Sequence, residues 1–342
     1  MRWSSHTENE DWRTKMKKLT VGSLFAGVGG ICQGFKNAGF EVSWAVERDE
    51  KAGITYRANH APTLLINQDI TEVVDPASLA QVDVLTSGFP CQAFSQAGKR
   101  LGFDDPRGNM FLETCRFIKA LNPKCVLFEN VKGLVNHDKG NTLQTIKQTM
   151  DSLGYTFEYC ILNSCDFGVK QNRERIFMVG YRKDLGIDGE IRPSRPMSKA
   201  TFTAQKEVEE KYYYDRFKMY PTLKAEMQST DTFYQWRRKY VRENKKGLCP
   251  TLTANMGTGG HNVPLILTEE GRIRKLTPRE CFQLQGFPED FILPSLANCH
   301  LYKQAGNSVT VPVIEALAKG IKNNLKKKTS IFSAIIAILK IF

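Results

Sequence analysis

Short runs of apolar residues, closed by Gly, Pro, Asn or Asp, alternate along the chain with segments whose apolar positions fall three and four apart. Those are the periods of buried strands and of the helices that cover them. Residues 19–25 form the first apolar run, the turn Ala26-Gly27-Val28-Gly29-Gly30 follows, and residues 31–38 carry helical spacing. A second strand, 41–46, delivers Glu47 to its end, a third unit closes at Gln68-Asp69-Ile70, and a fourth strand, 82–87, is ended by Gly88 and Pro90. The alternation continues with a helix over 110–121, a strand over 125–128 and a helix over 142–153, then a hairpin-like pair, 155–162 and 175–181. Strands alternating with helices predict an α/β fold with a doubly wound, mostly parallel sheet covered on both faces. The hairpin predicts a partly antiparallel edge.

The pattern changes after Gly186. Pro193, Pro196 and polar residues give way to Tyr212-Tyr213-Tyr214 and then to the aromatic and basic run Trp236-Arg237-Arg238-Lys239-Tyr240. Residues 249–262 follow, rich in Gly, Thr and Asn, as a flexible loop or as a loop lying closely along a groove. Near Arg274 the strand and helix pattern returns: Thr277 is placed as an N-cap, with Pro278 at N1 and Glu280 at N3 of a helix running through Leu284. A last helix is expected over 311–325. The chain therefore divides into a leader (1–18), a first domain (19–185), a smaller inserted domain (186–270), a return to the first domain (271–325) and a tail (326–342). The apolar part of that tail, 331–342, is shorter than the roughly 20 residues needed to span a bilayer. A membrane-surface segment, a self-association segment and a non-native extension are its three readings; the last is preferred, and no role is assigned.

Charge narrows the partner. With 342 residues, a formal charge of +12 and a pI near 9.2, the chain suits a polyanion, nucleic acid first. Nine cysteines without a Cys-x-x-Cys pair or a Cys/His cluster indicate neither a disulfide scaffold nor a structural metal, and a reduced cytosol fits. The first residues lack the apolar core of a signal peptide.

Candidate chemistry gathers at strand ends. Cys91, just past the fourth strand in Gly88-Phe89-Pro90-Cys91-Gln92, sits where open α/β sheets place ligands, which makes it a nucleophile candidate; an inert buried thiol is the alternative for a lone cysteine. A glycine turn after the first strand, followed some 20 residues later by Glu47, has the logic of a nucleoside site, although a turn needing glycine only for close packing reads the same way. Phe128-Glu129-Asn130-Val131, Gln171-Asn172-Arg173-Glu174-Arg175 and Gln304-Ala305-Gly306-Asn307-Ser308-Val309 add an acid, two guanidinium groups and a polar loop.

In their order, these segments resemble the DNA (cytosine-5)-methyltransferases of the bacterial and phage restriction-modification type, over about residues 19–318, with roughly 186–271 as the variable part. The resemblance implies a Rossmann-like S-adenosylmethionine-dependent methyltransferase fold with an inserted target-recognition domain. It implies that Cys91 adds to C6 of a flipped-out cytosine, that Glu129 serves N3, and that Arg175 serves O2, with Arg173 as a second candidate. S-adenosylmethionine would lie against Phe25, Ala26, Gly27, Gly29 and Gly30, with Glu47 on the ribose hydroxyls and Asp69 on the adenine amino group. Arg48, Ile70, Pro90, Asn307 and Val309 complete that site. Gln92, Ser95, Lys99, Arg100 and Arg107 would contact DNA from a closing loop, and Arg237, Arg238, Thr251, Thr253 and Asn255 from the variable segment. The Pro-Pro-aromatic signature of amino-methylating enzymes is absent from the sequence, which favours carbon as the acceptor. Double-stranded DNA is the expected partner of a cytoplasmic monomer that stays off membranes and is paired in function, not in a stable complex, with a restriction endonuclease. Methylation of cytosine in tRNA, and a DNA-binding regulator with a dead site, are the competing readings; the long Thr- and Gly-rich segment speaks against the first, the presence of Cys91, Glu129 and Arg175 against the second.

Overall fold

The computed structural model describes residues 18–90, 110–187, 193, 200–237, 239–244, 246–258 and 262–339, with side chains as far as 327. In chain order it places β1 (Thr20–Leu24), α1 (Gly30–Asn37), β2 (Glu41–Val46), α2 (Glu50–His60), β3 (Leu64–Ile66) and β4 (Val84–Ser87). Then come α3 (Met110–Leu121), β5 (Cys125–Val131), α4 (Asn141–Ser152), β6 (Glu158–Asn163) and β7 (Glu174–Tyr181). These strands make one seven-stranded sheet in the order β3-β2-β1-β4-β5-β7-β6. The strands from β3 to β5 run parallel, and β7 is antiparallel to both β5 and β6. The partly antiparallel edge read from the sequence is that hairpin.

Two apolar layers cover the sheet. On one face Ile31 and Phe35 of α1 pack with Ile314, Leu317 and Ile321 of the last helix, α8 (Val311–Leu339). On the other face Phe111, Phe117 and Ile118 of α3 and Ile146 and Met150 of α4 share one cluster with Trp44, which meets Phe117. Trp44 fits because Gly22, across the β1–β2 ladder, has no side chain: a Cβ there would lie 2.3 Å from the indole. The backbone of α8 continues well past residue 325, where the sequence pattern ends it, and no helix among the described residues is long and apolar enough to cross a membrane.

A second sheet, with α5 (Tyr220–Glu226) beside it, is built from β8 (Tyr234–Trp236), β9 (Val241–Glu243), β10 (Leu265–Leu267) and β11 (Ile273–Lys275) in the antiparallel order β11-β10-β8-β9. The boundary placed at 270/271 from composition therefore falls inside the β10–β11 hairpin, and the small sheet ends at Lys275. After it come α6 (Pro278–Gln283) and α7 (Asn298–Asn307). The capping box expected at Thr277 is present, each partner accepting from the other's backbone N–H. Glu280 also forms a fully buried ion pair with Arg274 at 2.7 Å, which ties α6 to β11. A third apolar cluster seals the seam, joining Val28 and Ala52 to Leu252, Met256, Leu276, Phe282 and Tyr302.

Candidate active site

The C-terminal ends of β1, β2, β4 and β5 open onto two adjoining clefts, of about 590 and about 420 Å³, that share Phe25 and Glu47. After β1 the chain turns through Phe25 (φ +54°), Gly27 (φ +56°) and Gly29 (φ +89°). The left-handed region costs a non-glycine residue about 1–2 kcal/mol, so Phe25 holds a strained conformation at the rim of both clefts. At Gly27 no atom stands within 4 Å of where a Cβ would sit, which leaves its backbone open to the larger cleft. Glu47 pins this turn: its carboxylate accepts from the N–H of Gly27 and of Asp49, both at 2.7 Å.

The smaller cleft is lined by Arg48, Asp69, Ile70, Pro90 and Met110. Asp69 accepts from the backbone N–H and hydroxyl of Thr71 and pairs with Arg48 at 3.2 Å; those hydrogen bonds, that of the Thr71 backbone first, hold its carboxyl below the usual carboxylate range. Behind it, the Arg116 guanidinium of α3 donates to the carbonyls of Ile70 and Val73 and pairs with Glu113. Nothing in the sequence marks Arg116, because an arginine on a helix reads as a solvated face until its neighbours are known.

The turn after β4 is anchored from below and from the side. Phe89 is buried against Phe111 and Phe128, and its carbonyl accepts from Asn130 Nδ2 at 2.9 Å. Gly88, three residues before Cys91, faces Glu129: a Cβ there would come 3.8 Å from Glu129 Oε2. Arg175 of β7 lies opposite Val131 in the β5–β7 ladder, so Arg175 and Glu129 point to one face as a diagonal pair. Their Nε to Oε1 distance is 3.2 Å, with the side chains 17% and 13% exposed. Burial raises the Glu129 carboxyl above its ordinary range, and the nearby Arg175 and Arg173 charges oppose that rise without cancelling it.

Arg173, expected as a second catalytic candidate, is directed elsewhere. Its guanidinium is buried and donates to the carbonyls of Leu252, Gly306 and Ser308 at 2.7 to 3.1 Å. The cause is local: Arg173 lies just before β7 begins, beside the Gln171–Cys249 bridge that brings the 249–252 segment to this point. Thr251 and Thr253 are exposed, with hydroxyls donating to the Asn172 carbonyl and to Asn255 Oδ1. The backbone at Thr253 rests on Gly306, whose missing Cβ makes the approach possible. Arg237 stands at the tip of the β8–β9 hairpin. Cys91, Gln92, Ser95, Lys99, Arg100, Arg107 and Arg238 lie outside the described residues.

The larger cleft is closed by Gln304, Asn307, Ser308 and Val309, the last two buried and Asn307 exposed. Gln304 Nε2 and Ser308 Oγ are buried polar atoms with no hydrogen-bond partner. Such atoms are costly unless something else meets them. A ligand with polar groups at this end of the cleft would do so.

Residues 19–323 match the family model described as C-5 cytosine-specific DNA methylase. Among curated proteins, the chain is 51% identical over 316 residues to Type II methyltransferase M.Bsp6I of Bacillus sp. (strain RFL6), covering 90% of this chain and 99% of that protein. It is 36% identical over 325 residues to Type II methyltransferase M.HhaI of Haemophilus parahaemolyticus, covering 89% and 94%. Among solved structures, Spodoptera frugiperda DNMT2 matches with a TM-score of 0.66 at 22% identity, over 88% of this chain and 99% of that one, a likeness of fold.

Proposed function

The chain belongs to the C-5 cytosine-specific DNA methylases, and from that premise we propose which of its residues carry out the reaction. It is a DNA (cytosine-5-)-methyltransferase of restriction-modification type, dependent on S-adenosylmethionine. The two clefts suit that donor. Asp69, Ile70 and Pro90 would take the adenine, Glu47 the ribose hydroxyls, and the turn at Gly27 with Asn307 and Val309 the methionine end, where the unpartnered Gln304 and Ser308 atoms await polar groups. When bound, the sulfonium supplies an electrophilic methyl group; the chain's own task is to make cytosine C5 nucleophilic enough to accept it.

Cys91 is assigned the nucleophile's role: its thiolate adds to C6, breaks the ring's aromaticity and leaves enamine character at C5. Glu129 is the proton holder at N3, where negative charge gathers as the thiolate adds; its raised pKa keeps a protonated fraction available. Arg175 holds Glu129 in place and is assigned to O2 of the base. The observation that carries this assignment is the largely buried Glu129–Arg175 pair at the mouth of the donor cleft, with Glu129 facing Gly88, which is three residues from Cys91. The substrate duplex must present its cytosine outside the helix, since a stacked base is out of reach.

Covalent trapping on a duplex carrying 5-fluorocytosine tests the assignment. The wild-type chain is expected to form an adduct stable to denaturant, and Cys91→Ser to form none while its DNA affinity stays within roughly tenfold, about 1.4 kcal/mol. An adduct with Cys91→Ser would move the nucleophile elsewhere. Glu47→Ala is expected to weaken donor binding by about 1–3 kcal/mol in calorimetry. A paired endonuclease, a monomeric state and a cytoplasmic location complete the proposal, and bisulfite sequencing of plasmid from an expressing strain identifies the target.

A further inference from the structure

His60, the last residue of α2, has no exposed surface and takes no part in the chemistry above. Its ring lies under the glycine turn: Nε2 is 3.0 Å from the Val28 carbonyl, and Nδ1 is 3.3 Å from Lys36 Nζ, which also donates to the His60 carbonyl at 3.2 Å. These partners fix the tautomer. An ammonium group has only donors, so Nδ1 accepts; a carbonyl only accepts, so Nε2 carries the proton and donates to Val28. Burial, with the Lys36 charge beside it, lowers the imidazole to about 4, so the ring is neutral at ordinary pH. Tyr56, at 4.5 Å between ring centroids, and Phe291 hold the ring from the sides.

The turn it meets is the one that opens onto the larger cleft, and Val28 is among the residues that line it. Two side chains grip the turn from opposite directions: Glu47 accepts from the Gly27 N–H, and His60 meets the Val28 carbonyl. Gly29 is shaped around the ring, because a Cβ there would stand 2.1 Å from His60 Nε2. The left-handed φ of Gly29 and the close imidazole are thus one fitted arrangement.

We propose that His60 is a positioning residue for the methyl donor: its Nε2–H, oriented by Lys36, holds the Val28 carbonyl and so sets the 26–30 turn in the conformation that receives S-adenosylmethionine. The proposal rests on the reading of this cleft as the donor site. It differs from a general packing role in that the ring's single donated hydrogen bond, and not its volume, is what the donor site depends on.

The test compares His60→Phe, which keeps ring volume and stacking but donates nothing, with His60→Gln, whose amide can donate from a position like that of Nε2. Calorimetric titration with S-adenosylmethionine is read beside DNA affinity and circular dichroism. Donor affinity is expected to fall roughly three- to tenfold in His60→Phe, the effect of one neutral hydrogen bond, with the loss appearing in KM for the donor more than in kcat. His60→Gln is expected to return to within about twofold of wild type. Wild-type donor affinity in His60→Phe, or a His60→Gln protein as weak as His60→Phe, would overturn the proposal. If His60→Phe does not fold, Lys36→Met decides: without the ammonium group that orients it, the ring should hold the Val28 carbonyl less firmly and donor binding should weaken about two- to threefold; unchanged affinity would refute it. A wild-type chain that bound no donor would instead remove the reading of the cleft itself.

Discussion

At the scale of single residues, Glu129 is where burial becomes function. A carboxyl whose folded-state pKa is raised binds more protons folded than unfolded over the window from its ordinary value up to the raised one, so stability falls as pH rises through that window. Glu129→Gln removes the titration: the variant and wild type should be alike in acid, and the variant should gain relative stability toward neutral pH, as read by urea denaturation from about pH 4 to pH 8. Catalysis should move the other way, with single-turnover rates about 10²- to 10⁴-fold lower in Glu129→Gln and without the wild-type decline on the alkaline side. An unaltered alkaline decline in the variant would assign that limb to another group. Glu129 and Arg175 stood out in the sequence because each lies near the end or the start of a strand in a recognisable run. The separation of Arg175 from Arg173 was not legible, since two arginines two residues apart look equivalent until β7 is seen to begin between them. Nor did any local signal reveal His60, whose meaning lies in a carbonyl 32 positions away.

At the scale of elements, the alternation of periods revealed β2 and α3 at the bounds the structure has, and the Thr277 capping box, because these depend on neighbours in the chain. What it could not reveal is how loops are fastened to one another. Gln171 Nε2 donates to the Leu284 carbonyl and to Gln285 Oε1, Thr310 donates to the same oxygen, and Ser164 bonds Thr310, so the start of β7 is joined to the ends of α6 and α7 by buried polar groups. Arg173 adds the clasp on Leu252, Gly306 and Ser308, reaching both the 249–252 segment and the loop that closes the larger cleft. Removing the guanidinium would leave three carbonyls in the interior without that donor. Arg173→Met should therefore destabilise the protein by about 1–3 kcal/mol, the cost of leaving buried acceptors without a donor, and should weaken donor and DNA binding together. A variant of wild-type stability that had lost only catalysis would restore Arg173 to the reacting centre.

For the molecule as a whole, the question is which part reads the DNA sequence. Phosphate contacts position a protein and base edges specify its site, so neutralising Lys99 or Arg100 should weaken binding to all sequences alike and lower the salt slope by about 0.9 for each phosphate no longer neutralised. The small sheet and its loops, by contrast, add exposed Thr, Asn, Arg and Tyr beyond the parallel sheet, and side chains such as Arg237 could each contribute about 1–3 kcal/mol of discrimination. Exchanging this region with that of a relative of different target tests the division, and the structure says where to cut. A join at 270 would pair β10 of one enzyme with β11 of the other, whereas a join after Lys275 that keeps Arg274 preserves both the hairpin and the buried pair with Glu280. The chimera exchanged over 186–275 with Arg274 retained should be the more stable of the two, since its β10–β11 hairpin comes from one enzyme, whereas an exchange that lost Arg274 would leave Glu280 unpaired at a cost of about 3–5 kcal/mol. It should methylate the site of the enzyme that supplied the exchanged segment, when plasmid from the expressing strain is sequenced after bisulfite treatment. If an active chimera still marked the original site, the sequence code would reside in the parallel-sheet domain, and the small sheet would serve only to hold the duplex.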